Sequence, residues 1–179
     1  MCREEDGSPR QKYSENIDRM LCVFPYQGNF KALLGSYKFK KSVVIANYFT
    51  FCFVTILKEF AGLSDLCEAA LVPVPPRPGK IKKQGWDQIE FLAKKLTKYP
   101  DTFPVTKCLK RLPSRTQKEL SREERSKNLK GRILCVKKPP QIAILFDDVV
   151  TTGATLKACA EALLEGGTEK VLTVCLFFD

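Results

Sequence analysis

The chain has 179 residues, of which 44% are hydrophobic and 28% charged, and its formal net charge is +10 with no histidine. This length and apolar content are enough for one domain with a substantial core, and neither a repeat nor a low-complexity tract interrupts it. The absence of histidine excludes metal sites that depend on that ligand.

The first residues of the sequence do not resemble a signal peptide. Residues 2–6 lack the basic start and apolar core of a signal peptide, so we expect no export and a cytoplasmic location. We predict a polar tail or finger remnant over residues 1–23 and one domain over residues 24–179. Residues 43–57 are uncharged, but a spanning helix needs about 20 apolar residues. We therefore predict a buried helix there, with no membrane insertion.

Predicted helices and strands alternate along the rest of the chain. The helices cover residues 29–39, 43–60, 87–99 and 155–165, and the strands cover residues 69–74, 106–112, 132–136, 142–146 and 171–177. This order predicts an α/β fold, with a parallel sheet of about four or five strands and helices on both faces. Right-handed crossovers would bring the ends of strands 69–74 and 142–146 to one edge, where such sheets bind ligands.

The segment after strand 142–146 carries the strongest chemical signal. Free backbone amides at the start of the next helix, joined by threonine hydroxyls, are suited to a phosphate dianion. Gly153 lets the backbone approach that phosphate without a Cβ. The predicted phosphate-binding residues are Val150, Thr151, Thr152, Gly153, Ala154 and Thr155.

Two adjacent carboxylates, Asp147 and Asp148, precede that turn. They are suited to accept hydrogen bonds from vicinal sugar hydroxyls, with Mg²⁺ offsetting their charge through indirect ligation. The implied ligand is a ribose 5-phosphate that carries further phosphate. The alternative is that Asp-Asp only ends a strand and the threonines only cap a helix. The segment is neither a P-loop nor a dinucleotide fingerprint, since Gly-Lys-Thr, Gly-Lys-Ser and Gly-x-Gly are all missing.

Residues 142–155 resemble the phosphoribosyl pyrophosphate (PRPP) motif of type I phosphoribosyltransferases. Residues 71–80, a Val-Pro-Val-Pro strand and a basic loop, and residues 85–88, Gly-Trp-Asp-Gln, resemble the ComF family of phosphoribosyltransferase-like proteins. Further matches in the family's order are Tyr26, Gly28, Lys38, Phe39, Thr116, Gln117, Leu120, Arg125, Asn128 and Gly131. The resemblance covers about residues 24–178.

This resemblance implies a type I phosphoribosyltransferase-like (Rossmann-like) parallel sheet with helices on both faces and a small N-terminal hood over residues 24–66. It also implies transfer of the 5-phosphoribosyl group, with Asp147 and Asp148 as catalytic residues that orient the ribose. The pyrophosphate would be bound by Val74, Pro75, Arg77 and Lys80. A flexible loop over residues 113–131 would close over the site with Arg115, Thr116, Gln117 and Arg125.

The cysteines depart from the ComF pattern, which usually opens with paired Cys-x-x-Cys motifs that bind zinc. None of the eight cysteines forms a Cys-x-x-Cys pair, so we expect no structural zinc. Cys2 is either the remnant of a shortened finger or a simple thiol. Reduced thiols are expected throughout.

Positive charge is concentrated in residues 76–138, which hold 19 Lys plus Arg against 6 Asp plus Glu. Pyrophosphate needs only a few of these cations, so the rest either bind single-stranded DNA or form a solvated face without a partner. Aromatic side chains that either stack on a base or pack in the core are Trp86, Phe30, Tyr37 and Phe39.

Three functions are open at this point. The first is a Mg²⁺-dependent phosphoribosyltransferase. The second is a non-catalytic protein that binds single-stranded DNA in the DNA uptake of natural competence, with competence proteins as candidate partners. The third is a PRPP sensor that regulates a partner.

Overall fold

The computed structural model describes residues 16–62, 66–99, 102–113, 129 and 131–179. Its helices and strands follow one another along the chain as β1 (Arg19–Pro25), α1 (Gly28–Lys40), α2 (Val43–Ala61), β2 (Ala69–Pro73), α3 (Lys80–Gln84), α4 (Gln88–Leu96), β3 (Leu109–Arg111), β4 (Ile133–Cys135), β5 (Ile142–Val150), α5 (Ala154–Glu165) and β6 (Lys170–Phe178).

The main sheet has four parallel strands in the order β1-β6-β5-β2. Its two central strands, β5 and β6, are apolar and largely buried, as expected for a parallel sheet with both faces covered. The predicted α/β class and Rossmann-like parallel sheet are confirmed. Strands β2 and β5 pair directly, so their carboxyl ends meet at one edge, also as predicted.

Side chains that alternate along β5 divide the core into two layers. Ile144 and Phe146 pack with α1, α2 and α4 on one face of the sheet. Ala143 and Leu145 pack with α5 on the other face, together with buried residues of the β3–β4 hairpin. Each layer buries apolar surface against the same strand, which fixes the position of the strand's carboxyl end.

Two predictions about the sheet are wrong. Segments 106–112 and 132–136 add no strand to the main sheet. The Thr106 amide donates to the Leu71 carbonyl of β2 at 2.8 Å, but residues 109–111 and 133–135 form a separate antiparallel pair, β3–β4, which packs on α5. The boundary between residues 23 and 24 falls inside β1, so residues 19–23 belong to the sheet and not to a polar tail. The apolar residues of β1 are buried because this strand pairs with β6 along its length. The hood over residues 24–66 stays a prediction, and these residues form the end of β1, α1 and α2.

Helix α2 is only partly the buried helix that we predicted. Phe49 and Phe53 are fully buried on one side, whereas Val44 is 78% exposed and Phe51 67% exposed on the other. Within the described residues, no helix combines the length and the apolar character required to cross a bilayer.

Candidate functional site

A cleft of about 910 Å³ lies at the carboxyl ends of β2 and β5. Four parts of the chain that are far apart in sequence meet in it. Its lining includes Lys38 and Phe39 of α1, Val74, Pro75, Arg77 and Lys80 after β2, Gln88 of α4, Arg111 of β3, Asp147 and Asp148 of β5, and Thr151, Thr152, Ala154 and Thr155 after β5. The fold therefore brings together the predicted acid pair, threonine turn and basic loop.

The acid pair lies inside β5, because this strand continues four residues past the predicted end at Phe146. Asp147 is half-buried, and its Oδ1 accepts the amide of Asp148 at 2.8 Å. Consecutive strand residues point to opposite faces, so the two carboxylates straddle the strand end. Burial and the negative charge of Asp148 raise the pKa of Asp147 to about 8.

Asp148 is 6% exposed and is engaged by two side chains. Lys38 Nζ lies 2.9 Å from its Oδ2, and Gln88 Nε2 donates to the same oxygen. Gln88 Oε1 in turn accepts a hydrogen bond from Lys80, which also pairs with Asp87. A continuous polar chain thus links Asp148 to Lys80, the predicted pyrophosphate ligand, whose ammonium is already occupied by these two partners.

Aromatic side chains pack against the residues that form this row of hydrogen-bonded side chains. The Tyr37 hydroxyl donates to the Gln88 carbonyl at 2.7 Å, and Trp86 Nε1 donates to the Lys38 carbonyl at 3.3 Å. The Tyr37 and Trp86 rings meet edge to face at 5.3 Å. Trp86 and Tyr37 are therefore packing residues, as one of the two interpretations predicted, whereas Phe39 is 81% exposed and lines the cleft.

The threonine turn leads into α5 through Gly153, whose φ of 71° is the left-handed conformation that glycine adopts readily. Thr152 Oγ1 accepts the Ala154 amide at 3.4 Å. The first amides of a helix lack intrahelical acceptors, and the Lys157 amide donates to the Gly153 carbonyl at 2.8 Å.

Two of the predicted phosphate-binding residues, Val150 and Gly153, do not line the cleft. Val150 is 2% exposed and its carbonyl accepts the Asp179 amide, so it stabilises the end of the sheet. Gly153 shapes the turn without lining the cleft, whereas the three threonines and Ala154 do line it.

Sequence reasoning missed several residues of the cleft, among them Lys38, Gln88 and Arg111. Lys38 and Gln88 were noted only within family motifs, and Arg111 only as a strand residue. Arg111 is 8% exposed, and its Nε and Nη2 atoms are buried without a hydrogen-bond partner. Its neighbour Lys110 is exposed, so the alternation along β3 was a signal that one of the two cations points inward.

Several predictions concern residues outside the described part of the chain. These are the flexible-loop residues Arg115, Thr116, Gln117 and Arg125, together with Cys2. In the described ranges, no group of three or more His, Cys, Asp or Glu side chains is arranged to hold a metal ion, and seven cysteines are free thiols.

No family model matches the sequence. The chain is 26% identical to competence protein F of Haemophilus influenzae over 166 residues, which cover 89% of this chain and 72% of that protein. It is 29% identical to competence protein ComFC of Bacillus subtilis over 153 residues, or 81% of this chain and 58% of the relative. It is 26% identical to competence protein ComFC of Streptococcus pneumoniae over 155 residues, which cover 86% of this chain and 66% of that protein.

The chain thus spans between 58% and 72% of the length of these curated relatives. All three similarities extend over most of the chain, and all three relatives carry competence protein F or ComFC names. Together with the parallel sheet and the order of motifs along it, these similarities support membership of the ComF family.

Proposed function

We propose that the cleft binds PRPP and that the protein holds or transfers its 5-phosphoribosyl group. The observation that carries this proposal is that the acid pair, the threonine turn and the basic loop after β2 all line the same cleft. Each part suits a different portion of one ligand: a sugar diol, a phosphate monoester and a pyrophosphate.

The 5-phosphate fits the threonine turn. Thr151 is exposed and Thr152 and Thr155 are half-buried, so all three hydroxyls are within reach of a ligand in the cleft. The amides at the start of α5 add donors, and the helix dipole favours negative charge there. A phosphate dianion at this turn would receive hydrogen bonds without needing a nearby lysine.

The ribose fits the acid pair. Carboxylate oxygens accept hydrogen bonds from vicinal hydroxyls, and Asp148 is held rigidly by Lys38 and Gln88. In phosphoribosyl transfer, the bond between C1 and pyrophosphate breaks as the acceptor bonds to C1, through an oxocarbenium-like state. Residues that fix the ribose hydroxyls would orient C1 for this displacement. Phe39 is the exposed aromatic side chain that the described lining offers to an acceptor base.

Two carboxylates suit Mg²⁺ that is held largely by the ligand's own phosphates, because Mg²⁺ commonly uses one or two carboxylates plus substrate oxygens. Asp147 and Asp148 would contact the ion indirectly. When bound, the ion would offset the negative charge between the pyrophosphate and the acid pair.

Calorimetric titration with PRPP and Mg²⁺ tests this proposal. The parent protein should bind, and a variant with both Asp147→Asn and Asp148→Asn should bind at least about 100-fold more weakly, since hydrogen bonds to charged groups contribute about 1.5–3 kcal/mol each. Asp179→Asn, at the end of the neighbouring strand β6 and outside the cleft lining, is the matched control and should bind like the parent. A parent that does not bind PRPP, or a double variant that binds equally well, contradicts the proposal.

Turnover is measured separately, as release of pyrophosphate from PRPP in the presence of candidate acceptor bases. Pyrophosphate release by the parent and not by the double Asp variant supports a phosphoribosyltransferase. Tight PRPP binding without release supports a PRPP-sensing regulator instead.

A second candidate function is binding of single-stranded DNA in the DNA uptake of natural competence. It is favoured by the names of the relatives and by exposed lysines outside the cleft, among them Lys94, Lys98, Lys107 and Lys110. Binding through phosphates should weaken steeply as salt rises. A single-stranded oligonucleotide whose electrophoretic mobility does not change with added protein at low salt would contradict this function.

A further inference from the structure

Among the described residues that line the cleft, one arginine has two buried nitrogen atoms without a hydrogen-bond partner. Arg111 lies at the end of β3 with 8% of its surface exposed, and its Nε and Nη2 atoms are buried without a hydrogen-bond partner. Buried polar groups in folded proteins are almost always hydrogen-bonded, and an unpaired buried charge costs more than an unpaired amide. Such a group needs an explanation, and a ligand in the adjoining cleft supplies one.

The fold holds Arg111 in this position. Its backbone pairs with Ile133 across the hairpin, and the following residue, Leu112, donates its amide to Arg132. The buried side chains of Cys108 and Ile133 belong to the core layer that covers α5. The backbone at Arg111 is therefore fixed by the strand pairing, and its side chain extends from there to the cleft lining.

The charges around Arg111 are unfavourable in the free protein. Burial and the positive charge of Arg77 lower the pKa of Arg111, opposed in part by Asp147. Arg77 and Arg111 both line the cleft, and a group with at least two negative charges would offset both the burial of Arg111 and the repulsion between the two guanidiniums. Arginine matches phosphate oxygens through a planar fork of N–H donors.

We infer that Arg111, together with Arg77, binds the pyrophosphate of the ligand. This inference rests on the proposed PRPP function and adds to it a residue that sequence motifs did not indicate. The pyrophosphate is the fitting group because Arg77 belongs to the loop after β2, whereas the 5-phosphate already has the threonine turn and the start of α5. It also shifts the expected role away from Lys80, whose ammonium is held by Asp87 and Gln88.

Three ligands and three variants test the inference. The ligands are PRPP, inorganic pyrophosphate and ribose 5-phosphate, each titrated calorimetrically with Mg²⁺. The variants are Arg111→Met, which removes the charge, Arg111→Lys, which keeps the charge without the fork, and Lys110→Met, the exposed neighbour on the same strand. Thermal denaturation of each free protein provides a readout that does not depend on ligand.

Loss of the Arg111 guanidinium should weaken the binding of PRPP and pyrophosphate but not that of ribose 5-phosphate. Arg111→Met should weaken PRPP and pyrophosphate binding by about 10- to 100-fold, the loss expected for a charged hydrogen-bonding group. Ribose 5-phosphate binding should change by less than about twofold, because separate subsites contribute nearly independently. Arg111→Lys should fall between Arg111→Met and the parent, and Lys110→Met should match the parent. Arg111→Met should also melt at a higher temperature than the parent, since an unpaired buried charge is removed.

Other outcomes overturn the inference. Unchanged pyrophosphate binding in Arg111→Met, equal losses for all three ligands, or a lower melting temperature together with unchanged binding would show a structural role. Failure of the parent to bind PRPP at all would contradict the proposed function, whereas a parent that binds PRPP beside an Arg111→Met protein that binds equally well contradicts only this inference.

Discussion

The two sides of the β5 carboxyl end differ in how they balance buried charge. On the side of α1 and α4, Asp148 is 6% exposed and has Lys38 and Gln88 as partners. On the side of α5, Arg111 is 8% exposed and two of its nitrogens have none. Asp148 therefore has its partners in the free protein, whereas we infer that Arg111 acquires partners for these nitrogens only when an anion binds. This difference suggests which charges hold the fold together and which are kept for a ligand.

The largest expected effect at the end of β5 is a pH dependence of stability that arises at Asp147. The pKa of Asp147 is raised from 3.8 to about 8 in the folded protein, first by burial and second by the charge of Asp148. Between about pH 4 and pH 8 the folded protein therefore holds a proton that the unfolded chain releases, and stability falls as pH rises.

The substitution Asp147→Asn should remove this loss of stability at rising pH, because asparagine does not ionise. The variant should become more stable than the parent by an amount that grows from about pH 4 to pH 8 and reaches several kcal/mol, since each pKa unit corresponds to about 1.4 kcal/mol. Urea denaturation at a series of pH values measures both free energies of unfolding. A difference between variant and parent that stays constant over this window would contradict the assignment.

A smaller effect on stability is expected from Lys38→Met, which removes the ion pair with Asp148. Asp148 would stay buried with Gln88 alone, and we expect the free energy of unfolding to fall by about 2 kcal/mol. This is below the roughly 3–5 kcal/mol for a fully buried pair, because 29% of the Lys38 side chain is exposed. Lys40→Met, exposed on the same helix, is the control and should change stability by less than about 0.5 kcal/mol. Equal effects of the two variants would show that Asp148 does not depend on Lys38.

Arg111→Met acts on the side of α5 and should have the opposite sign. Removing the unpaired guanidinium should raise the free energy of unfolding by about 1–2 kcal/mol, in the range of the penalty for an unsatisfied buried group. Chemical denaturation of this variant beside Lys38→Met compares the two sides directly. Destabilisation of the protein by both substitutions would contradict the difference between Asp148 and Arg111.

The smallest effect on stability is expected at the threonine turn. Thr152→Val loses the bond to the Ala154 amide, which at 3.4 Å is at the long limit, so stability should fall by only about 0.5 kcal/mol. Binding of ribose 5-phosphate should fall by about 10-fold, because the hydroxyl would be lost from the phosphate site. Thr55→Val is the control, since the Thr55 hydroxyl also makes a local hydrogen bond, donated to the Phe51 carbonyl, but lies on α2 outside the cleft lining. Equal ribose 5-phosphate affinity in the two variants would remove Thr152 from the phosphate site.

Sequence was sufficient for the elements whose signal is local. The apolar run of β5 and the helical spacing of α5 predicted both elements and the cleft between them. The extension of β5 to Val150 was not predictable, because it depends on pairing of Asp147 and Val149 with β6. Strand β1 was missed for a related reason, since its burial comes from a partner strand about 150 residues away.

The site was predictable where motifs carry it and not where contacts between distant segments do. Asp147, Asp148 and the threonines stand together in sequence, so their chemistry could be predicted. Gln88 and Asp148 are 60 residues apart, and their hydrogen bond exists only once α4 packs beside β5. For Arg111, alternation along the strand could have indicated an inward cation, but the two nitrogens without a partner became visible only in the folded cleft.

A structure of the protein with PRPP and Mg²⁺ tests the central claim most directly. We predict the 5-phosphate at the turn of Thr151, Thr152 and Thr155, the ribose hydroxyls on Asp147 and Asp148, and the pyrophosphate against Arg77 and Arg111. A ligand bound outside this cleft, or a pyrophosphate that leaves the Arg111 guanidinium without a partner, would contradict the account.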